Sequence, residues 1–325
     1  MDDGGDWEIP DAVRPRPEAY DYDIERTLDS VLLLRAEVPE DSFTASILGT
    51  ERAGHAVVID DRGLVLTIGY LIAEASNVWL IANNGTAVSG HVVAYDFETG
   101  FGLVQALGRL DVPPIQIGRS GDSGVGSQIV LAGHGGRENA LTGKVVSRRE
   151  FAGYWEYVLD EAIFITPAHP NWGGAAAVDG RGRLIGIGSL FVQNAHGGDV
   201  RADGNMIVPI DLLPPILDDL LTYGSARRVV RPWLGIYVAD TEDKHVVVGL
   251  AEGGPADRGG VEVGDVILEV AGAPIGDLAD LFRSIWALGP AGVDVPLTVW
   301  RDGEPQRVAV HSADRNDFLR SPKLH

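Results

Sequence analysis

Apolar residues fall in short runs separated by turns rich in Gly, Asn and Asp over most of the chain. His55–Asp60 is followed by Asp61-Arg62-Gly63 and then by Leu64–Thr67. Two apolar runs joined by turn residues predict a hairpin. Val78–Ile81 leads into Asn83-Asn84-Gly85, another strand and turn. Further strands are predicted at Gln128–Leu131, Gly143–Ser147, Tyr157-Val158, Ala162–Ile165 and Met206–Val208. Ala175–Val178, Asp179–Gly182 and Leu184–Ile187 give a second hairpin. No amphipathic helix is predicted before about residue 211, where Asp211–Thr222 reads as a short helix or two turns closed by Tyr223-Gly224. Many short strands with Gly-rich turns point to barrels or sandwiches.

A second small unit begins near residue 226. Its strands are predicted at Leu234–Val238, His245–Leu250, Asp265–Val270, Pro296–Trp300 and Gln306–Val310. One helix is expected, capped by Asp277, with Leu278, Leu281, Ile285 and Leu288 on one face and Gly289-Pro290 as its stop.

The length of 325 residues agrees with two domains. Acidic residues number 47 against 26 Lys and Arg, a formal net charge of -21, and so negative a surface repels phosphate backbones; nucleic acid is a poor partner. Cysteine is absent, which excludes disulfides, thiolate metal sites and thiol catalysis. HExxH and P-loop patterns are also absent, so no metal and no cofactor are expected. No long apolar run predicts a membrane span. The N-terminus shows no basic region followed by an apolar one, so a cytoplasmic location is the expectation, and a periplasmic one only if the chain has been trimmed. Residues 1–25 are strongly acidic and read as a flexible tail.

Trp233-Leu234-Gly235-Ile236, then Gly253–Val270 with Ala271-Gly272, then Leu297–Gly303 follow in the order that resembles a PDZ domain of the kind attached to bacterial HtrA/Deg proteases. The resemblance implies that Trp233, Leu234, Gly235 and Ile236 form the carboxylate-binding loop and adjoining strand. A peptide C-terminus would add between that edge and the helix bearing Leu281 and Ile285. Glycine suits a loop whose amides converge on an anion.

Upstream, Gly54–Thr67, Tyr95–Thr99, Gly126–Ala132, Gly143–Ser147, Asp179–Ile187 and Ile207–Ile210 resemble the chymotrypsin-like protease domain of the same family. The fold expected is therefore mainly β: a chymotrypsin-like double β-barrel over 26–225, a PDZ domain over 226–315 and a C-terminal tail over 316–325. Acyl transfer by that family needs a serine, a histidine and a carboxylate. At the matching frames stand Tyr70 for the histidine, Gly100 for the acid and Gly173 for the serine. The former oxyanion stretch reads Asn171-Trp172-Gly173. A phenol with a reference pKa of about 10 is a poor base at neutral pH.

These residues lead to the expectation that the chain is not an enzyme but a pseudoprotease, a binding or regulatory scaffold whose PDZ domain captures apolar C-terminal peptides. Its partners would be C-terminal peptides of other proteins, and the resemblance adds an active HtrA-like relative or a homo-oligomer such as a trimer; Tyr20, Tyr22 and Trp7 are available aromatics for assembly. The alternative is an active trypsin-like serine endopeptidase with a misaligned or non-standard site. Among other candidates, His169 lies four positions before Gly173, and His55 opens the first hairpin.

Overall fold

The computed structural model describes residues 8–198, 201–241 and 244–320. Asp2, Asp3, Asp6 and Trp7, and the last residues of the expected C-terminal tail, lie outside these. The described chain forms two compact units. Among the described residues, the first takes those within 8–149 and 161–227 together with Arg320, and the second those within 150–160 and 228–319.

The first unit opens with β1 (Val31–Glu37), β2 (Glu51–Val58), β3 (Leu64–Ile68), β4 (Asn77–Ile81), β5 (Ala87–Tyr95) and β6 (Phe101–Ala106). They close into a barrel in the order β1-β2-β3-β6-β5-β4. Leu33 of β1 faces His55 on one side and Ile81 on the other. The β2–β3 turn is built by Asp60, whose carboxylate accepts the Arg62 and Leu64 N–H groups at 2.9 and 2.8 Å. Such Asx turns explain why Asp precedes Gly at this kind of corner.

A second sheet contains β7 (Gln116–Ile117), β8 (Gln128–Ala132), β9 (Ala140–Gly153), β10 (Tyr157–Thr166), β11 (Ala176–Val178), β12 (Arg183–Val192) and β13 (Gly204–Pro209). Its order is β11-β8-β9-β10-β13-β12-β7, and a β11–β12 pairing closes the first six strands on themselves. Asp179 repeats the turn chemistry, accepting the Arg181 and Arg183 N–H groups at 2.9 Å each. Two short helices, α1 (Ile24–Leu28) and α2 (Ala45–Leu48), flank β1, and α3 (Pro214–Tyr223) ends the unit.

Residues 8–25 correct the expectation of a flexible tail. Ile9 is buried in the second barrel's core with Ile129, Leu141 and Ile185. Tyr20 shares a 2.9 Å hydrogen bond with Thr142, and the Tyr22 ring covers Gly182. A few apolar side chains outweigh the acidic composition once they have a core to enter.

The second unit has β14 (Ile236–Thr241), β15 (Lys244–Leu250), β16 (Val266–Val270), β17 (Ala273–Pro274), β18 (Asp294–Arg301) and β19 (Glu304–His311), with helices α4 (Pro255–Arg258) and α5 (Leu278–Trp286). The sheet runs β14-β15-β16-β18-β19, which leaves β14 at an edge. Asp277 caps α5 by accepting the Asp280 N–H at 2.8 Å. Asp314 caps a turn at Arg315–Phe318, and the Phe318 ring packs on Trp233 at 4.9 Å, so the start of the expected C-terminal tail is ordered.

Candidate functional site

Two places answer to the residues singled out in the sequence. The first lies where Tyr70, Gly100 and Gly173 meet the β2–β3 hairpin. Tyr70 follows β3 in a single 3-10 turn, and its hydroxyl donates to the Ser189 carbonyl at 2.9 Å. Burial raises its pKa, so the phenol keeps its proton. A Cβ at Gly173 would stand 2.8 Å from that hydroxyl. Tyr70 therefore occupies the space a side chain at 173 would need.

The Gly173 carbonyl accepts the His55 N–H at 2.8 Å, and Thr67 Oγ1 donates to the His55 carbonyl at 2.7 Å. Gly174 has φ +79, and a Cβ there would lie 1.8 Å from the His55 carbonyl oxygen, so glycine is obligatory. Gly100 has φ +84 and accepts the Gly69 N–H at 2.7 Å. Asn171 donates its N–H to His169 Nδ1 at 3.0 Å, and the Trp172 ring lies 5.7 Å from that of Phe191. His169 is fully buried; its Nε2 pairs with the Asn139 carbonyl at 3.0 Å and its backbone is bracketed by the Asn205 amide. His55 and His169 rings stand 6.2 Å apart, edge to face. Burial, then the neighbouring His169 and His134, push the His55 imidazole down to about 3, and burial lowers His169 too. Both are neutral bases at pH 7. The structure thus brings His55, His169, Tyr70 and Gly173 together, and it places no side chain of residue 100 or 173 there.

The second place is the loop Trp233–Ile236. Gly235 has φ +77, and a Cβ would come within 2.9 Å of the Ala251 Cβ, so only glycine lets this loop turn. The turn aims three successive N–H groups at one carboxylate. Glu156 Oε2 accepts Leu234 N–H at 3.0 Å, and Oε1 accepts those of Gly235 at 2.7 Å and Ile236 at 3.0 Å. Each charge-assisted bond of this kind is worth about 1.5–3 kcal/mol against the cost of burying the acid. Burial pushes the Glu156 carboxyl up to about 7, against the lowering effects of the three amides and of Arg315.

Glu156 is the last residue of the three-residue turn Tyr154-Trp155-Glu156 that joins β9 to β10. Its φ is +61, the left-handed position that three-residue hairpin loops usually give to glycine. A non-glycine residue there costs about 1 kcal/mol, which the carboxylate bonds offset. Two residues back, the Tyr154 carbonyl accepts the Val238 N–H of the β14 edge at 2.9 Å.

Leu234, Ile236, Leu281 and Ile285 are all buried, in one cluster that also takes Val158 from β10. Burying that valine contributes about 1.5 kcal/mol. Arg283 of α5 bridges Glu150 and Asp160, each at 2.5 Å. Trp233 pairs its backbone with Ala313 and carries the Phe318 ring. Of the six residues expected at the peptide site, Leu234, Ile236, Leu281 and Ile285 share one cluster, Gly235 lies in the loop between the first two, and Trp233 is held by Ala313 and Phe318; Tyr154, Glu156 and Val158 of the 150–160 segment meet the same loop, edge and cluster. Nothing in the sequence pattern flagged Glu156. A Glu in the loop of a long hairpin, where Gly or Asn is usual, was the one signal available.

The comparisons with known proteins fit both places. A family profile described as a trypsin-like peptidase domain matches residues 54–187, and a PDZ domain profile matches 232–311. The chain carries a trypsin-like peptidase domain followed by a PDZ domain, the HtrA/Deg arrangement. A probable periplasmic serine endoprotease, DegP-like, from Pseudomonas fluorescens is 27% identical over 268 residues, covering 78% of this chain and 55% of that protein. Protease Do-like 1, chloroplastic, of Arabidopsis thaliana is 26% identical over 315 residues, 88% of this chain and 69% of that one. The chain spans about half the length of the DegP-like relatives it matches. Among solved structures, the HtrA-type protease AlgW with a tripeptide superposes with a TM-score of 0.53 at 22% identity, covering 95% of this chain and 99% of that one; the likeness is one of fold.

Two expectations are corrected by these similarities. The chain was expected not to be an enzyme, yet the relatives that share most of its length are named serine endoproteases or proteases. The residues at 70, 100 and 173 remove one arrangement of base, acid and nucleophile; they do not exclude hydrolysis as a class. The cytoplasmic expectation is overturned as well, because the DegP-like relatives are named periplasmic. An N-terminus without a leader pattern is weak ground against that.

Proposed function

We propose that this chain is an HtrA-type protein that recognises polypeptides by a carboxylate, using the backbone amides of Leu234, Gly235 and Ile236, in a periplasmic setting like that in the names of its relatives. The observation that carries the reading is the three-amide contact to a buried carboxylate. Ile236 and Val238 present their N–H groups outward from an edge strand, which is what an added peptide strand pairs with. The apolar cluster of Leu234, Ile236, Leu281 and Ile285 supports a preference for apolar C-terminal residues. C-terminal peptides of other proteins are the partners proposed. An HtrA-like relative or further copies of this chain, as a trimer, are partners that sedimentation with and without such a relative separates. The test of the reading is paired titration of the full chain with peptides ending in Val, Leu or Phe, each as free acid and as amide. Binding of the acids and not the amides supports it. Equal binding of both forms sinks it.

A second reading is favoured by the peptidase-domain match and by the relatives' names: endopeptidase activity in the first unit. With Gly173 lacking a side chain and Tyr70 donating to Ser189, the nucleophile and base would be groups other than these. Casein turnover together with fluorophosphonate labelling supports this reading; neither signal, at a concentration where a DegP-like protease gives both, counts against it.

A further inference from the structure

The groove of the second unit already holds a ligand made by the chain itself. The Glu156 side chain presents its carboxylate to the three loop amides at 2.7–3.0 Å. The Tyr154 carbonyl takes the next outward N–H along β14, that of Val238. The spacing matters. Alternate residues of an extended strand face the same side, and a bound peptide would offer its terminal carboxylate at Ile236 and a carbonyl at Val238. The hairpin supplies both groups in that order. Val158 enters the apolar cluster that would receive a peptide's side chains, and Ala152 packs against it. Arg283, on the helix that forms the other wall, holds Glu150 and Asp160 at the two ends of the segment.

From this geometry we infer that residues 150–160 are a built-in competitor of C-terminal peptides, with the Glu156 carboxylate standing in for the peptide's own. A peptide and the hairpin use the same amides and the same edge, so a peptide binds only as Glu156 leaves. The inference rests on the carboxylate-recognition reading above and adds its regulation. The hairpin is an intramolecular ligand, so its effective concentration is high and a free peptide meets an apparent affinity lowered by the fraction of docked chains.

The experiment uses the full chain, wild type and the variants Glu156→Ala and Glu156→Gln, with circular dichroism to verify folding. The probes are fluorescein-labelled hexapeptides ending in Val, Leu or Phe as free acids. Amide hydrogen exchange at Leu234, Gly235 and Ile236 is followed in parallel. The expected result is at least a tenfold gain in peptide affinity for Glu156→Ala over wild type, faster exchange of the three amides in that variant, and an intermediate gain for Glu156→Gln, which keeps the shape and weakens the acceptors. Equal peptide affinity in all three forms overturns the inference and leaves the recognition reading standing. Loss of amide protection in Glu156→Ala with no peptide bound by any form overturns the recognition reading, and the competition with it. Unchanged protection in Glu156→Ala overturns the inference whatever the peptides do. If Glu156→Ala fails to fold, Arg283→Ala with Glu156→Gln gives the same comparison.

Discussion

The Tyr70 hydroxyl stands 2.8 Å from the point where a Cβ on Gly173 would sit, and it is held there by the Ser189 carbonyl. Gly173→Ala therefore forces the phenol away from its acceptor. The expected cost is about 1–2 kcal/mol. Tyr70→Phe removes the colliding oxygen, so the double variant should be less destabilised than the sum of the singles. A coupling of about 1 kcal/mol in a thermal or urea double-mutant cycle checks this. Strict additivity would show that the two positions do not touch.

His55 sets an acid limit on the first unit. Its Nδ1 accepts the His134 N–H at 3.0 Å, while Nε2 is buried without a hydrogen-bond partner. The folded pKa is pushed down to about 3 by burial and by His169 and His134, against an ordinary unfolded value near 6.5. The unfolded chain thus binds more protons, and stability falls as pH drops below about 6.5 toward 3. At pH 5 the loss from this residue is about 2 kcal/mol. Urea midpoints at pH 7 and 5 should show it, and His55→Gln should flatten that part of the profile.

Gly235→Ala places a β-carbon 2.9 Å from that of Ala251 in a left-handed backbone. A loss of about 1–3 kcal/mol is expected, and the amides of residues 234–236 should lose protection together. A thermal melt with exchange data checks both.

The wall of the groove depends on the Asp277 cap of α5. Asp277→Ala should cost about 1 kcal/mol. It should also weaken the Arg283 bridges to Glu150 and Asp160, raising amide exchange at both ends of the 150–160 segment. A drop in stability with no change at that segment would separate the helix from the hairpin.

Local chemistry made much of this molecule legible in advance. The Asp60 and Asp179 turns and the Asp277 cap each act through neighbours within a few residues, and the sequence displays them. The alternation of apolar runs likewise marked several hairpins. Other features depend on partners far away along the chain. Ile9 sits in an acidic stretch and is buried only because Ile129, Leu141 and Ile185 receive it. The strands Val31–Glu37, Ala87–Tyr95 and Phe101–Ala106 escaped notice because one has a continuous apolar start and the others are interrupted by Gly90 and Gly102. Glu156 is 80 residues from Ile236 and carries no motif. The loop residues that bind a carboxylate could be named from sequence, whereas the carboxylate that occupies them could not.

The most direct measurement is a pH titration of the backbone ¹⁵N–¹H resonances of Leu234, Gly235 and Ile236 in the full chain, from pH 5 to 9. Charged and titratable groups that interact with Glu156 are Arg315, which lowers its pKa, and the Tyr237 phenol, whose own pKa Glu156 raises. Burial pushes the Glu156 carboxyl up to about 7 from an ordinary value near 4.5, so in the docked hairpin it gains its proton as pH falls through that point and the three amides then face a neutral acid. Docked Glu156 predicts that the three amides move together with a midpoint near 7 and that Glu156→Gln abolishes the transition. Amides that do not titrate, or that titrate identically in Glu156→Gln, would contradict the account.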